Sequence, residues 1–212
     1  MHSRTINQVD RKVIERRVLT VPFYKQLQQL DNSQYELLLH HSKILTFKAE
    51  ETVLAEGGSD QWLFCLLQGQ CQVLAGAAQQ QVNEVAAGEV FGDLALLMEQ
   101  PRTATVVAGT REVQVFATDF SIFGELDNLV VIKLVTKLCY YRNLAQNLRW
   151  KLEVYRQSHP DFMAANRHRQ TQLFKGDKGT AAELVFLYQQ CREFGKLLLE
   201  WNRGFDELEL RP

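Results

Sequence analysis

Between residues 44 and 118 the chain alternates short apolar runs with turn residues: ILTFKA, TVLAE, QWLFCLLQG, QCQVLAG, QVNEVAA, RTATVVAG and EVQVFAT. Gly57-Gly58, Gly69, Gly76, Gly88 and Gly109-Thr110 punctuate these runs at close intervals. Short strands rich in Val, Leu, Phe and Thr, cut by frequent turns, predict an antiparallel sandwich or barrel, here a small jelly roll. From Gly76 to Val82 the string GAAQQQV has no apolar periodicity and reads as an exposed hairpin loop.

A helical period takes over on both sides. Ile6, Val9 and Val13 recur at helical spacing within residues 4–17, among Arg4, Arg11, Lys12, Arg16 and Arg17. Such a basic amphipathic helix can pack on the barrel or meet a membrane or acidic partner. A second helix is expected over Ser33 to Ser42. After the strands, a long helix is predicted from about Leu126 to Gln157. Its Leu134, Leu138, Tyr141, Ala145, Leu148, Leu152 and Tyr155 step by four and three. That stripe suits a homodimer seam, and also a helix lying on its own barrel. His159-Pro160 ends the helix. A helix from about Asp161 to Phe174, the turn KGDKG and a last helix opened by a Thr180/Glu183 capping box predict a helical hairpin. Leu184, Leu187, Cys191, Phe194, Leu198 and Trp201 stripe that last helix, and Gly204 is expected to close it.

The expected class is therefore α+β: an antiparallel jelly-roll barrel with flanking helices, a long C-terminal dimerisation helix and a helical hairpin tail. The parts are an N-terminal helix (1–20), the barrel (21–125), the long helix (126–158) and the hairpin (159–212).

Composition narrows the function. The 212 residues are 46% hydrophobic with a net charge of −1, which gives no general electrostatic case for nucleic acid or anionic membrane. No apolar run reaches 18 residues and the first residues lack a signal-type core, so a cytoplasmic protein without a membrane span is expected. Cys65, Cys71, Cys139 and Cys191 are too widely spaced for a metal or iron-sulfur cluster and read as reduced thiols. His40 and His41, adjacent on a helix, point about 100° apart and cannot chelate together. No Ser/His/Asp set or carboxylate pair suggests an enzyme.

The chemistry concentrates in residues 88–106, GEVFGDLALLMEQPRTATV. Phe91-Gly92-Asp93 would open a short helix, Leu94 to Met98, whose first amides and dipole favour an anion. Pro101 turns the chain so that Arg102 enters the next strand with its guanidinium free to return to that anion.

These residues resemble the phosphate-binding cassette of the cyclic-nucleotide-binding domain family, F-G-E-L-A-L, a short gap, then P-R-[AT]-A-[TS]-V. Phe91, Gly92, Asp93, Leu94, Ala95, Leu96 and Pro101, Arg102, Thr103, Ala104, Thr105, Val106 match in register, with Asp93 replacing the family glutamate. The resemblance extends from Val21-Pro22-Phe23 through Glu56-Gly57-Gly58 to Leu66-Leu67-Gln68-Gly69, over roughly residues 20–158.

The resemblance implies that Arg102 and the amides near Leu94 and Ala95 hold the phosphate of cyclic AMP or cyclic GMP. It implies that Asp93 faces the ribose 2'-hydroxyl and that Thr103 permits guanine without excluding adenine. It also implies that the long helix meets the base, with Lys133, Thr136, Lys137 and Tyr140 as candidates. Signalling would pass to a protein partner. A transcription regulator with an atypical DNA-binding tail and a nucleotide-free dimeric scaffold stay open. DNA binding has against it eight basic and eight acidic residues over 160–212, and for it only Arg167, His168, Arg169, Lys175 and Lys178.

Overall fold

In the computed structural model the described residues are 2–5, 11–75, 79–158, 166–170 and 172–208. The chain divides after Gly124 into two compact units.

Among its described residues the first unit carries nine strands: β1 (His2–Thr5), β2 (Ser42–Phe47), β3 (Thr52–Leu54), β4 (Trp62–Gln68), β5 (Gln70–Ala75), β6 (Gln80–Ala86), β7 (Val90–Phe91), β8 (Thr105–Ala108) and β9 (Val113–Asp119). They form two antiparallel sheets, ordered β1-β2-β9-β4-β7 and β3-β8-β5-β6. No pairing joins the sheets among the described residues, so the closed barrel expected from the sequence is instead a two-sheet sandwich. Its core lies between them: Leu45, Phe64, Leu66, Val113 and Val115 from one sheet meet Leu54, Cys71, Val85 and Val106 from the other.

The first sheet is covered on its other face too, which explains why β4 is apolar without alternation. Helices α1 (Arg11–Val18), α2 (Pro22–Leu30) and α3 (Asn32–His40) bury Ile14, Val18, Tyr24, Leu27, Tyr35 and Leu38. Tyr24 stacks edge-on against Phe116 of β9, and its hydroxyl joins Thr118 Oγ1 (2.7 Å), which also meets Ser42 Oγ (2.8 Å). Asp31 caps α3 by accepting from the Gln34 amide. Two expectations need correction. The part of the N-terminal helix that is described runs from Arg11, His2–Thr5 pairs as an edge strand with residues 43–46, and Ile6 and Val9 lie outside the described set. The loop read over 76–82 is shorter, since Gln80 already pairs with Ala75, while residues 76–78 lie outside the described set.

The second unit contains α5 (Leu134–Ser158), a 3-10 turn (Arg167–Gln170) and α6 (Ala181–Leu208). The long helix starts eight residues later than expected. Asn128 accepts from the Val130 amide in an Asx turn, which diverts the backbone before α5 can begin. Contacts between the helices advance in the same direction along both: Arg142 meets Glu183, Tyr141 meets Tyr188, and Tyr155 meets Trp201. The helices are therefore parallel, and the first arm of the hairpin expected over 159–212 falls largely on residues outside the described set. Residues 172–174 are non-helical, and 159–165 and 171 lie outside the described set, including His159-Pro160.

This parallel pairing also covers much of the stripe read as a dimer seam. Leu138, Ala145, Leu148 and Leu152 of α5 are buried in the single chain, as are Leu184, Cys191, Phe194 and Trp201 of α6. Each stripe covers the other, so neither needs a second copy. The capping box is present, with the Glu183 amide donating to Thr180 Oγ1 (3.3 Å) and Glu183 Oε2 accepting from the Gly179 amide (2.6 Å). Gly204 does not end α6, which runs on to Leu208.

Candidate functional site

The cassette lies where β7, a short helix α4 (Asp93–Met98) and the approach to β8 converge. Phe91 stacks on Phe64 of β4 at 5.3 Å, anchoring the cassette to the sandwich core. Gly92 then takes φ +80° and ψ 0°, in the left-handed region. A Cβ there would lie 2.9 Å from Arg102 Nη1 and 3.2 Å from Phe64, so both backbone angle and space demand glycine. The same glycine is the N-cap of α4, and no side chain caps that helix. Asp31 and Thr180 cap α3 and α6, whereas the first turn of α4 keeps its amides from any side-chain cap.

Arg102 precedes β8 instead of lying in it, because the strand begins at Thr105. Its backbone is clamped to the loop before β4: the Gly57 amide donates to Arg102 O and the Arg102 amide donates to Gly58 O, each at 2.8 Å. The side chain is 2% exposed. Nη1 donates to Gly92 O (2.6 Å), and Nη2 to Trp62 O (2.6 Å) and Asp60 O (3.1 Å). Asp60 completes the grip, with Oδ1 at 2.5 Å from Nη2 and Oδ2 at 3.4 Å from Nε. The guanidinium also sits 5.6 Å from the Phe64 ring centroid.

The guanidinium is thus not free, as the sequence suggested, but held. Of its five N–H groups, only the second on Nη1 has no bond to a described residue. Asp60 was not anticipated. The signal was the requirement that a buried cation be paired, which pointed to an anion but not to an acid 42 residues earlier in the chain. Partial burial pushes the Asp60 carboxyl up, but the hydrogen bond and charge of Arg102 and the Trp62 amide outweigh it, leaving it below its ordinary value.

Of the expected site residues, Arg102 bonds directly to Gly92, while Phe91, next to Gly92 in the chain, stacks on Phe64. Asp93 and Ala95 are buried on α4 and Leu94 half-buried. Thr103 is half-buried beside Arg102. Lys133, Thr136, Lys137 and Tyr140 fall in the second unit. Lys137 is buried, and its ammonium donates to the carbonyls of Glu125 and Leu126, closing the turn ahead of α5. Burial lowers its pKa. The basic cluster is largely paired: Arg167 with Glu200 (2.5 Å), Arg169 and His168 with Glu153 (2.6 and 2.9 Å). Among the described residues, no three His, Cys, Asp or Glu side chains could hold a metal, and no helix is long and apolar enough to cross a membrane.

The family model for the cyclic nucleotide-binding domain matches residues 44–127. Over that segment, 84 of the 212 residues, the chain is similar to this family. The chain is 30% identical over 132 residues to a cGMP-dependent protein kinase of Plasmodium berghei, covering 62% of this chain and 14% of the kinase. It is 28% identical over 116 residues to a cAMP-dependent protein kinase regulatory subunit of Colletotrichum orbiculare, covering 55% of this chain and 29% of that protein. The chain thus spans well under half the length of these curated relatives. A solved cyclic nucleotide-binding domain from Methylobacillus flagellatus is similar in fold, with TM-score 0.50 and 17% identity over 69% of this chain and 77% of that one.

Proposed function

We propose that this chain is a regulatory protein that binds a cyclic nucleotide, cyclic AMP or cyclic GMP, and signals through its helical unit to a protein partner. The observation that carries the reading is the pre-set Arg102. A guanidinium already oriented by Asp60, Gly92 and Trp62 loses little freedom on meeting an anion, and it stands beside the uncapped start of α4. In this reading Arg102 and the amides of Leu94 and Ala95 take the phosphate, Gly92 gives the backbone room, Asp93 faces the ribose and Thr103 the base. Phe91 fixes the cassette. The role is binding, not catalysis. Relatives named for cAMP and for cGMP both match, so the base is left as either.

One observation favours a second reading, a nucleotide-free scaffold. Asp60 supplies the counter-charge that Arg102 would otherwise seek from a ligand. Calorimetric titration with cyclic AMP and cyclic GMP separates the two. The sensor reading expects saturable binding that weakens by about 1.5–3 kcal/mol in Arg102→Ala, the worth of a charge-assisted contact. Binding undiminished in that variant rejects the site, and no binding by the unmodified chain establishes the scaffold.

A further inference from the structure

We propose that the groove between α5 and the Arg167–Gln170 turn docks an acidic peptide segment of a partner protein, with an apolar side chain of that segment on Trp150. The proposal deepens the regulatory reading by naming the surface through which the helical unit would meet its partner, and it rests on that reading.

The groove encloses about 580 Å³ and is lined by Gln146, Arg149, Trp150, Glu153, His168 and Arg169. The first four lie on one face of α5 across two turns. Glu153 is the one acid among these lining residues, and its charge is spent inward. Its Oε1 accepts from Arg156 and Arg169, each at 2.6 Å, and its Oε2 meets His168 Nε2 at 2.9 Å. Arg149 is exposed and makes no hydrogen bond or ion pair with any described residue. Arg149 and Arg169 against a single carboxylate leave the groove lining with a net positive charge, although residues 160–212 as a whole are charge-balanced.

The apolar component is equally local. Trp150 is 56% exposed and Val154, one turn further along the same helix, is 37% exposed. Trp and Arg are among the residue types enriched at the energetic centres of protein interfaces. The groove is too open to bury most of a small ligand's surface, as small-molecule sites do. A nucleic acid would need a run of free cations to follow its phosphates, and Arg167 next to the groove is already paired with Glu200. Acidic charge around one apolar residue, in an extended segment, is what the lining complements.

The test uses the full chain and a fluorescein-labelled peptide, EDELFDEE, compared with KKKLFKKK by fluorescence anisotropy. Arg149→Glu and Trp150→Ala alter exposed positions, and unchanged circular dichroism melts check that both variants fold. The expected result is binding of the acidic peptide at least about tenfold tighter than the basic one, weakened about tenfold or more by either substitution and by added salt. Equal affinity for both peptides, or affinity indifferent to both variants, overturns the proposal. So does self-association of the unmodified chain that Arg149→Glu abolishes, which would assign the groove to a second copy. Cyclic-nucleotide titration of the same variants should be unchanged; loss of nucleotide binding by the unmodified chain would instead undo the sensor reading, independently of the peptide result.

Discussion

The grip of Asp60 on Arg102 can be measured by removing each partner alone and together. Arg102→Met keeps an unbranched apolar stem and loses the charge, and Asp60→Asn keeps the shape of the acid. Removing one member of a fully buried ion pair costs about 3–5 kcal/mol, because the other is left uncompensated. Exposed pairs are worth about 0–1 kcal/mol. Here the guanidinium is 2% exposed and the carboxylate 42%. Three carbonyls, of Gly92, Trp62 and residue 60 itself, continue to receive donors when the Asp60 side chain is neutralised. The coupling energy should accordingly fall between the limits, at about 1–3 kcal/mol. Native-state hydrogen exchange at the Val115 and Ala117 amides, in the middle of β9, reads the first unit apart from the helical one. The pH dependence gives a second check. Because the folded-state pKa of Asp60 is depressed, its stabilisation is fully present above the unfolded value near 3.9 and is lost as pH falls through the folded value. Coupling below about 0.5 kcal/mol at neutral pH, or coupling unchanged at a pH well below the folded value, would refute the account.

Gly92→Ala should destabilise the first unit by about 1–2 kcal/mol from the left-handed backbone alone. It should also abolish anion binding, since the new methyl displaces Nη1; urea titration and calorimetry check the two effects. Glu183→Gln should destabilise the second unit by about 1 kcal/mol by weakening the cap and the Arg142 pair, as seen in thermal melts. The hydrogen bond from Arg142 holds the Glu183 pKa down, so this difference should shrink as pH drops below the ordinary glutamate value of about 4.3. Burial raises the thiol of Cys65 to about 12 and those of Cys71 and Cys139 to about 11. Ellman's reagent should therefore leave these three untouched near neutral pH until denaturant is added.

Much of the first unit could be read directly because its information is local. Each strand from β2 to β9 coincides with an apolar run bounded by a turn, apart from the two-residue β7, and the Gly92-to-Arg102 spacing places both ends of the cassette. What escaped depends on partners distant in sequence. The four residues of β1 carry no apolar pattern and acquire strand geometry only by pairing with residues 43–46. Asp60 is one acid among many until folding brings it to Arg102. The α5 and α6 stripes were visible, but periodicity specifies which face of a helix is apolar without saying what will cover it. A second copy and a neighbouring helix satisfy the same pattern.

Two helices running the same way impose a long return path. α5 spans 25 residues, about 37 Å at 1.5 Å per residue, so the connection must retrace that distance before α6 can start alongside. Contacts such as Arg142 with Glu183 and Tyr141 with Tyr188 therefore join residues more than 40 positions apart. A local antiparallel turn could form early in folding. This pair must first close a large loop, so it should assemble slowly for an all-helical module and open as one cooperative piece.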